Sequence, residues 1–142
     1  MSFASQVSDA LTRRQLTDLS YSGGGQWMFE FAGEARLNTA GSPWRALVGE
    51  QIAFRDSDHI DRFGQGKMDD GIGDARRLLV GREVEAVRLR PDTGDLLLRF
   101  FGGGVAVEVI NIGAGDDGWL LWTSRGIRVA AKHTGELGPW AA

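Results

Sequence analysis

RPDTGDLLLRFFGGGVAVEVI, Arg90 to Ile110, is the stretch whose reading decides the fold. Leu96, Leu98 and Phe100 recur at every second residue, with Leu97 and Arg99 between them. Val105, Val107 and Val109 do the same against Ala106, Glu108 and Ile110. A period of two sends successive side chains to opposite sides of a pleated strand, so each run has one apolar and one mixed face. The punctuation fits. Pro91 presets the backbone angle of a turn that ends at Gly94, and Gly102 to Gly104 permit a tight reversal through positive φ. Upstream, EVEAVRLR (83 to 90) alternates at Val87 and Leu89 but slips at Val84, which predicts a bulge or a strand beginning near Ala86. Three consecutive strands of this kind make an antiparallel meander with one buried face.

Outward from it, WLLWT (119 to 123) reads as a fourth strand, with Trp119 and Leu121 on one side and Leu120 and Trp122 on the other; the IRVAA segment adds a fifth. Both faces of the fourth strand are apolar, so it is covered twice or its outer face meets another chain. The N-terminal half repeats the plan. Leu16 to Tyr21 and Gln26 to Phe31 are strands about a glycine turn. FEFAGEARL (29 to 37) follows the same order as LRFFGGGVAV (98 to 107) with a one-residue insertion. An internal repeat of 15–54 and 82–130 is therefore expected. LVGEQIAF (47 to 54) reads as one strand. Phe3, Val7, Ala10 and Leu11 lie at helical spacing within Ser2 to Arg13. The polar connection 55–79 is too long for a hairpin loop without helix in it, and DARRLL (74 to 79), with Gly81 just past it, reads as the last turns of one. Residues 134–142 read as an irregular tail. The expected class is α+β, mainly β, one domain over 1–142: two related antiparallel meanders packed as a twisted sheet, sandwich or partly open barrel, with one or two short helices.

A chain of 142 residues buries roughly 68% of its unfolded surface, enough for a core without staples. The absence of cysteine excludes disulfides, a thiolate nucleophile and thiolate-ligated metal. No apolar run reaches the length of a membrane span and the N-terminus lacks a secretory pattern, so a cytoplasmic setting without membrane is expected. A net charge of −3 gives no general attraction to phosphates. Arg88, Arg90 and Arg99 are the best local basic group, but Glu83, Glu85, Asp92 and Asp95 are interspersed, so no nucleic-acid partner is expected.

Candidate chemistry is sparse. In DSDHID, the side chains of Asp56, Asp58, His59 and Asp61 could converge on a divalent cation, yet the EF-hand pattern fails at Asp61, where glycine is needed, and at Lys67, where a glutamate is needed. A solvated acidic loop is the cheaper reading. MDDG (68 to 71) and GDDG (115 to 118) suit turns and caps. The glycine runs join strands and lack the spacing of a phosphate loop. His133 has no sequence-near carboxylate to orient it. No catalytic residue and no cofactor are assigned. The five tryptophans carry more information. Trp27 and Trp119 fit inward positions, whereas Trp44 and Trp122, with Leu120, are the interface candidates, because Trp122 lies on the strand face opposite Trp119 and Trp44 leaves a glycine–serine–proline loop.

VGREVEAVRLRPDTGDLLLRFFGGGVAVEVIN (80 to 111) followed by GDDGWLLW (115 to 122) resembles small bacterial β-rich proteins of the DUF6188 kind. The likeness covers mainly 80–123 and departs where Asp116, Asp117 and Gly118 precede Trp119. The resemblance implies no known reaction; by analogy with small bacterial proteins that neutralise toxins by binding them, it implies an immunity or regulatory role. The leading expectation is a noncatalytic module that binds a protein partner, or itself, through a sheet face or loops. The alternatives are a small-ligand protein with a pocket between the meanders and a metal-dependent hydrolase using His59 and its neighbouring aspartates.

Overall fold

Ser2 sits in extended backbone and its hydroxyl accepts from the Ser5 N–H, which starts α1 (Phe3–Leu11). The inward face of α1 is Val7, Ala10 and Leu11, as the spacing requires. In the computed structural model, residues 2–57, 71–112 and 117–140 are described. The strands are β1 (Leu16–Gly23), β2 (Gln26–Phe31), β3 (Ala35–Asn38), β4 (Trp44–Val48), β5 (Gln51–Arg55), β6 (Val84–Leu89), β7 (Leu96–Phe100), β8 (Val105–Val109), β9 (Trp119–Thr123), β10 (Arg128–Ala131) and β11 (Leu137–Gly138). A second helix, α2 (Gly71–Leu79), precedes β6. The expected single strand over 47 to 54 is instead a hairpin. Gly49, at φ +63, turns the chain between β4 and β5, a conformation that an alternation count does not register.

Two antiparallel sheets result, ordered β1-β2-β3-β9-β10-β11 and β5-β4-β8-β7-β6. Their inner faces meet edge-on through rings from both. Trp27 on β2 lies 5.2 Å from Trp44 on β4 and 5.9 Å from Phe54 on β5, and Phe29 lies 5.0 Å from Trp44. Such edge-to-face aromatic contacts add to the burial of Leu37, Leu98, Val107 and Leu121 between the sheets. The sheets form a sandwich and do not close into a barrel. They touch through backbone at one corner, where Gln15 and Glu83 form a bridge.

That corner is the axis of the repeat. The Leu16 N–H donates to the Arg82 carbonyl at 2.8 Å, and the Val84 N–H donates to the Arg14 carbonyl at 2.9 Å. The Ala32 N–H reaches the Gln15 carbonyl as the Phe101 N–H reaches that of Glu83. The pairing of β1 with β2 shifts between Leu16 and Asp18, and that of β6 with β7 shifts at the equivalent place, between Val84 and Ala86. This is the bulge predicted from the slip at Val84. Each half runs helix, three-stranded meander, then hairpin, and each hairpin leaves its own meander to pair with the third strand of the other: β4 with β8, β9 with β3. The repeat thus extends beyond the expected spans to include α1 and α2. Neither half can complete its sheet without the other.

The C-terminal segment departs from expectation. β11 pairs with β10 through Ala130–Gly138 and Ala131–Leu137, so these residues extend the sheet instead of forming an irregular tail.

Candidate functional site

Inward side chains make the core, so any recognition by strands falls on the two outer faces. Alternation and register define them. Across the six-stranded sheet, Asp18, Glu30, Arg36, Trp122 and Arg128 lie side by side, with Ser20, Met28, Asn38, Leu120 and Ala130 in the next row. Across the five-stranded sheet, the rows are Arg55, Arg45, Glu108, Leu97 and Arg88, then Ile52, Leu47, Ala106, Arg99 and Ala86.

The six-stranded face is occupied by its own chain. Arg76 of α2 binds the Asp18 carboxylate and donates to the Leu19 carbonyl at 2.8 Å. That guanidinium hydrogen bond holds the Asp18 carboxyl below its ordinary pKa. Glu30 pairs with Arg36 at 3.2 Å. Trp140 crosses over Trp122 with ring centroids 5.6 Å apart, donates its indole N–H to the Leu121 carbonyl at 3.1 Å, and takes the Arg128 guanidinium on its ring at 5.2 Å. Beside this edge-to-face pair a depression of about 470 Å³ is lined by Glu34, Arg36, Trp122, Thr123, Ser124, Gly126 and Arg128.

Of the three interface candidates, Trp122 and Leu120 do lie on an outer face and are half-buried. Trp44 does not: it is 1% exposed, an inward residue of β4 packed on Trp27, Phe29 and Phe54. Its position after a glycine–serine–proline loop looked exposed in sequence, but β4 crosses into the other sheet, and that carries its first side chain inward. Trp140, which sequence reading left in the tail, is the residue that covers Trp122.

Among the described residues, the five-stranded face is bare by contrast. Ile52 is 47% and Ile110 38% exposed, and Leu47, Leu97 and Ala106 are half-buried among them. Two adjoining depressions of about 520 and 510 Å³ share Leu97 and Glu108; Arg45, Arg88 and Ile110 line the first, and Leu47, Arg99 and Ala106 the second. Arg45 pairs with Glu108 at 2.7 Å. Arg90, at the rim, pairs with Asp92 at 3.1 Å, which lowers the Asp92 pKa.

Polar groups elsewhere serve the frame. Buried Thr39 accepts from the Trp27 N–H at 3.0 Å, and buried Ser42 donates to the Gly118 carbonyl. Asn111 ties three segments, donating its amide to the carbonyls of Thr93 at 2.8 Å and Lys132 at 2.9 Å while its backbone N–H meets Asp95. His133 is exposed on a shallow depression of about 300 Å³ beside Asp92 and Asn111. Asp117 of the GDDG motif pairs with Lys132 at 3.2 Å. Of the possible cation ligands, Asp56 accepts from the Trp44 backbone N–H at 3.2 Å, whereas Asp58, His59 and Asp61 lie outside the described residues. Among the described residues no cluster of three or more His, Asp or Glu side chains could hold a metal ion, and no helix is long and apolar enough to cross a membrane. No family model, curated protein or solved structure matches this chain.

Proposed function

We propose that the chain is a noncatalytic protein-binding module whose docking surface is the outer face of the five-stranded sheet. One observation carries this reading: an apolar centre of Leu47, Leu97, Ala106, Ile52 and Ile110, ringed by Arg45, Arg88, Arg99 and Glu108, is left uncovered by the described residues on the outer face of the sheet. An apolar centre with a polar, arginine-rich rim is the anatomy of a protein contact surface. The other outer face supports the choice, because its tryptophan is already covered edge-to-face by Trp140. A regulatory or immunity role, as implied by the resemblance to the DUF6188 kind, would be served by such a binder in the cytoplasm.

The test is partner capture, combined with light scattering for self-association, using wild type, Leu97→Asp and Trp122→Asp. A carboxylate placed in the apolar centre is expected to abolish capture while Trp122→Asp leaves it in place. Undiminished capture by a folded Leu97→Asp protein would remove this face from the account.

A further inference from the structure

We infer that the occupant of the five-stranded face is an acidic protein surface whose carboxylates seat on Arg88 and Arg99. This rests on the docking reading above and adds the chemistry of the partner. The strands of this face carry Arg45, Arg55, Arg88 and Arg99 against Glu85 and Glu108, a cationic surplus on a chain whose net charge is −3. Glu108 engages Arg45. Arg88 and Arg99 stand diagonally on the neighbouring strands β6 and β7, exposed on either side of Leu97, and neither has a carboxylate partner among the described residues. Two guanidinium forks flanking an apolar side chain suit carboxylates that each accept two parallel N–H bonds beside an apolar contact.

The frame does not require these arginines. By the repeat, the position of Arg99 corresponds to Glu30 and that of Arg88 to Ser20, on strands of the same geometry and the same bulge. The same scaffold therefore carries a glutamate and a serine on one face where it carries two arginines on the other. Stacking two copies through the five-stranded face would set like charge against like, which disfavours a second copy as the occupant. The outer strand positions carry no aromatic ring on which a nucleobase could stack.

The test uses the whole protein and four probes: an extended peptide of alternating leucine and glutamate, its leucine–glutamine and leucine–lysine counterparts, and oligothymidylate. Binding is followed by fluorescence anisotropy, with thermal melts to establish that each variant is folded. Wild type is expected to bind the glutamate peptide about tenfold tighter than the glutamine peptide, and to lose that margin as salt rises from roughly 0.05 to 0.3 M. The double variant Arg88→Glu/Arg99→Glu is expected to lose the margin and turn toward the lysine peptide, while Arg128→Glu on the other face changes nothing. Equal binding of the glutamate and glutamine peptides, with Leu97→Asp abolishing both, would leave docking standing and overturn acid recognition. Absence of peptide binding, together with unchanged capture by Leu97→Asp, would overturn the docking reading itself. Tighter binding of oligothymidylate, lost in the double arginine variant, would replace the acidic protein with a nucleic acid.

Discussion

The two halves of this protein share a backbone plan and differ in what they place on it. Trp44 and Trp119 hold equivalent positions at the start of the exchanged hairpins β4–β5 and β9–β10, and both are buried. The Trp119 indole N–H donates to the Gly94 carbonyl at 2.8 Å, whereas that of Trp44 has no hydrogen-bond partner among the described residues. Outside, Glu30 and Asp18 on one sheet correspond to Arg99 and Ala86 on the other, and Trp122 corresponds to Leu47. One inner position keeps its tryptophan while outer positions change charge freely, because an exposed strand position accepts most side chains at small cost.

The largest effects come from breaking the inner equivalence. Trp44→Ala and Trp119→Ala each remove a buried indole and are expected to cost about 3–5 kcal/mol in chemical denaturation. The phenylalanine variants sharpen the contrast. Trp119→Phe leaves the Gly94 carbonyl unpaired and should cost about 1–2 kcal/mol more than Trp44→Phe, whose lost N–H has no acceptor among the described residues. Equal costs would show that the difference in hydrogen bonding carries no energy.

Next in size is Trp140→Ala. It removes the ring that meets Trp122 edge-to-face and lies beneath Arg128, and is expected to lower stability by about 1 kcal/mol and to raise the solvent exposure of Trp122 fluorescence. The six-stranded face would then resemble the five-stranded one. If Trp140→Ala began to capture partners or self-associate, the contrast between the two faces would be shown to depend on one covering residue.

The smallest effect concerns Asp18. The Arg76 guanidinium lowers its folded-state pKa, so the pair stabilises the fold above the unfolded carboxylate value, near 4, and this contribution fades as pH falls through the lower folded value. Both side chains are well exposed to solvent, and the pair is expected to contribute no more than about 1 kcal/mol. Arg76→Ala should therefore differ most from wild type in denaturation at neutral pH, with the difference narrowing in strong acid to what its bond to the Leu19 carbonyl contributes. Its α2 partner position on the other half, Ser8 of α1, carries no charge to make the same bond.

The mainly β class, most strand positions and the inward sets of β2, β7, β8 and β9 were legible in sequence, because a two-residue period leaves a direct trace in Phe29 and Phe31 or Val105 to Val109. The bulge at Val84 and the repeat left such traces too. Three things did not. The turn at Gly49 interrupts an apolar run that looks continuous. The orientation of Trp44 depends on which sheet β4 joins. Trp140 lies among residues of loop composition, and only its contact with Trp122 gives it a role.

By itself the sequence determined which side chains point together along each strand, since pleat periodicity is a local property of the backbone. It also set the reversals at the glycine turns 23–25, 91–94 and 102–104. Only the tertiary structure decided that the hairpins trade places between meanders, that Trp44 faces inward and that Trp140 covers Trp122. Strand pairing is made between residues far apart in the chain, and alternation specifies a face without naming the neighbour that will cover it.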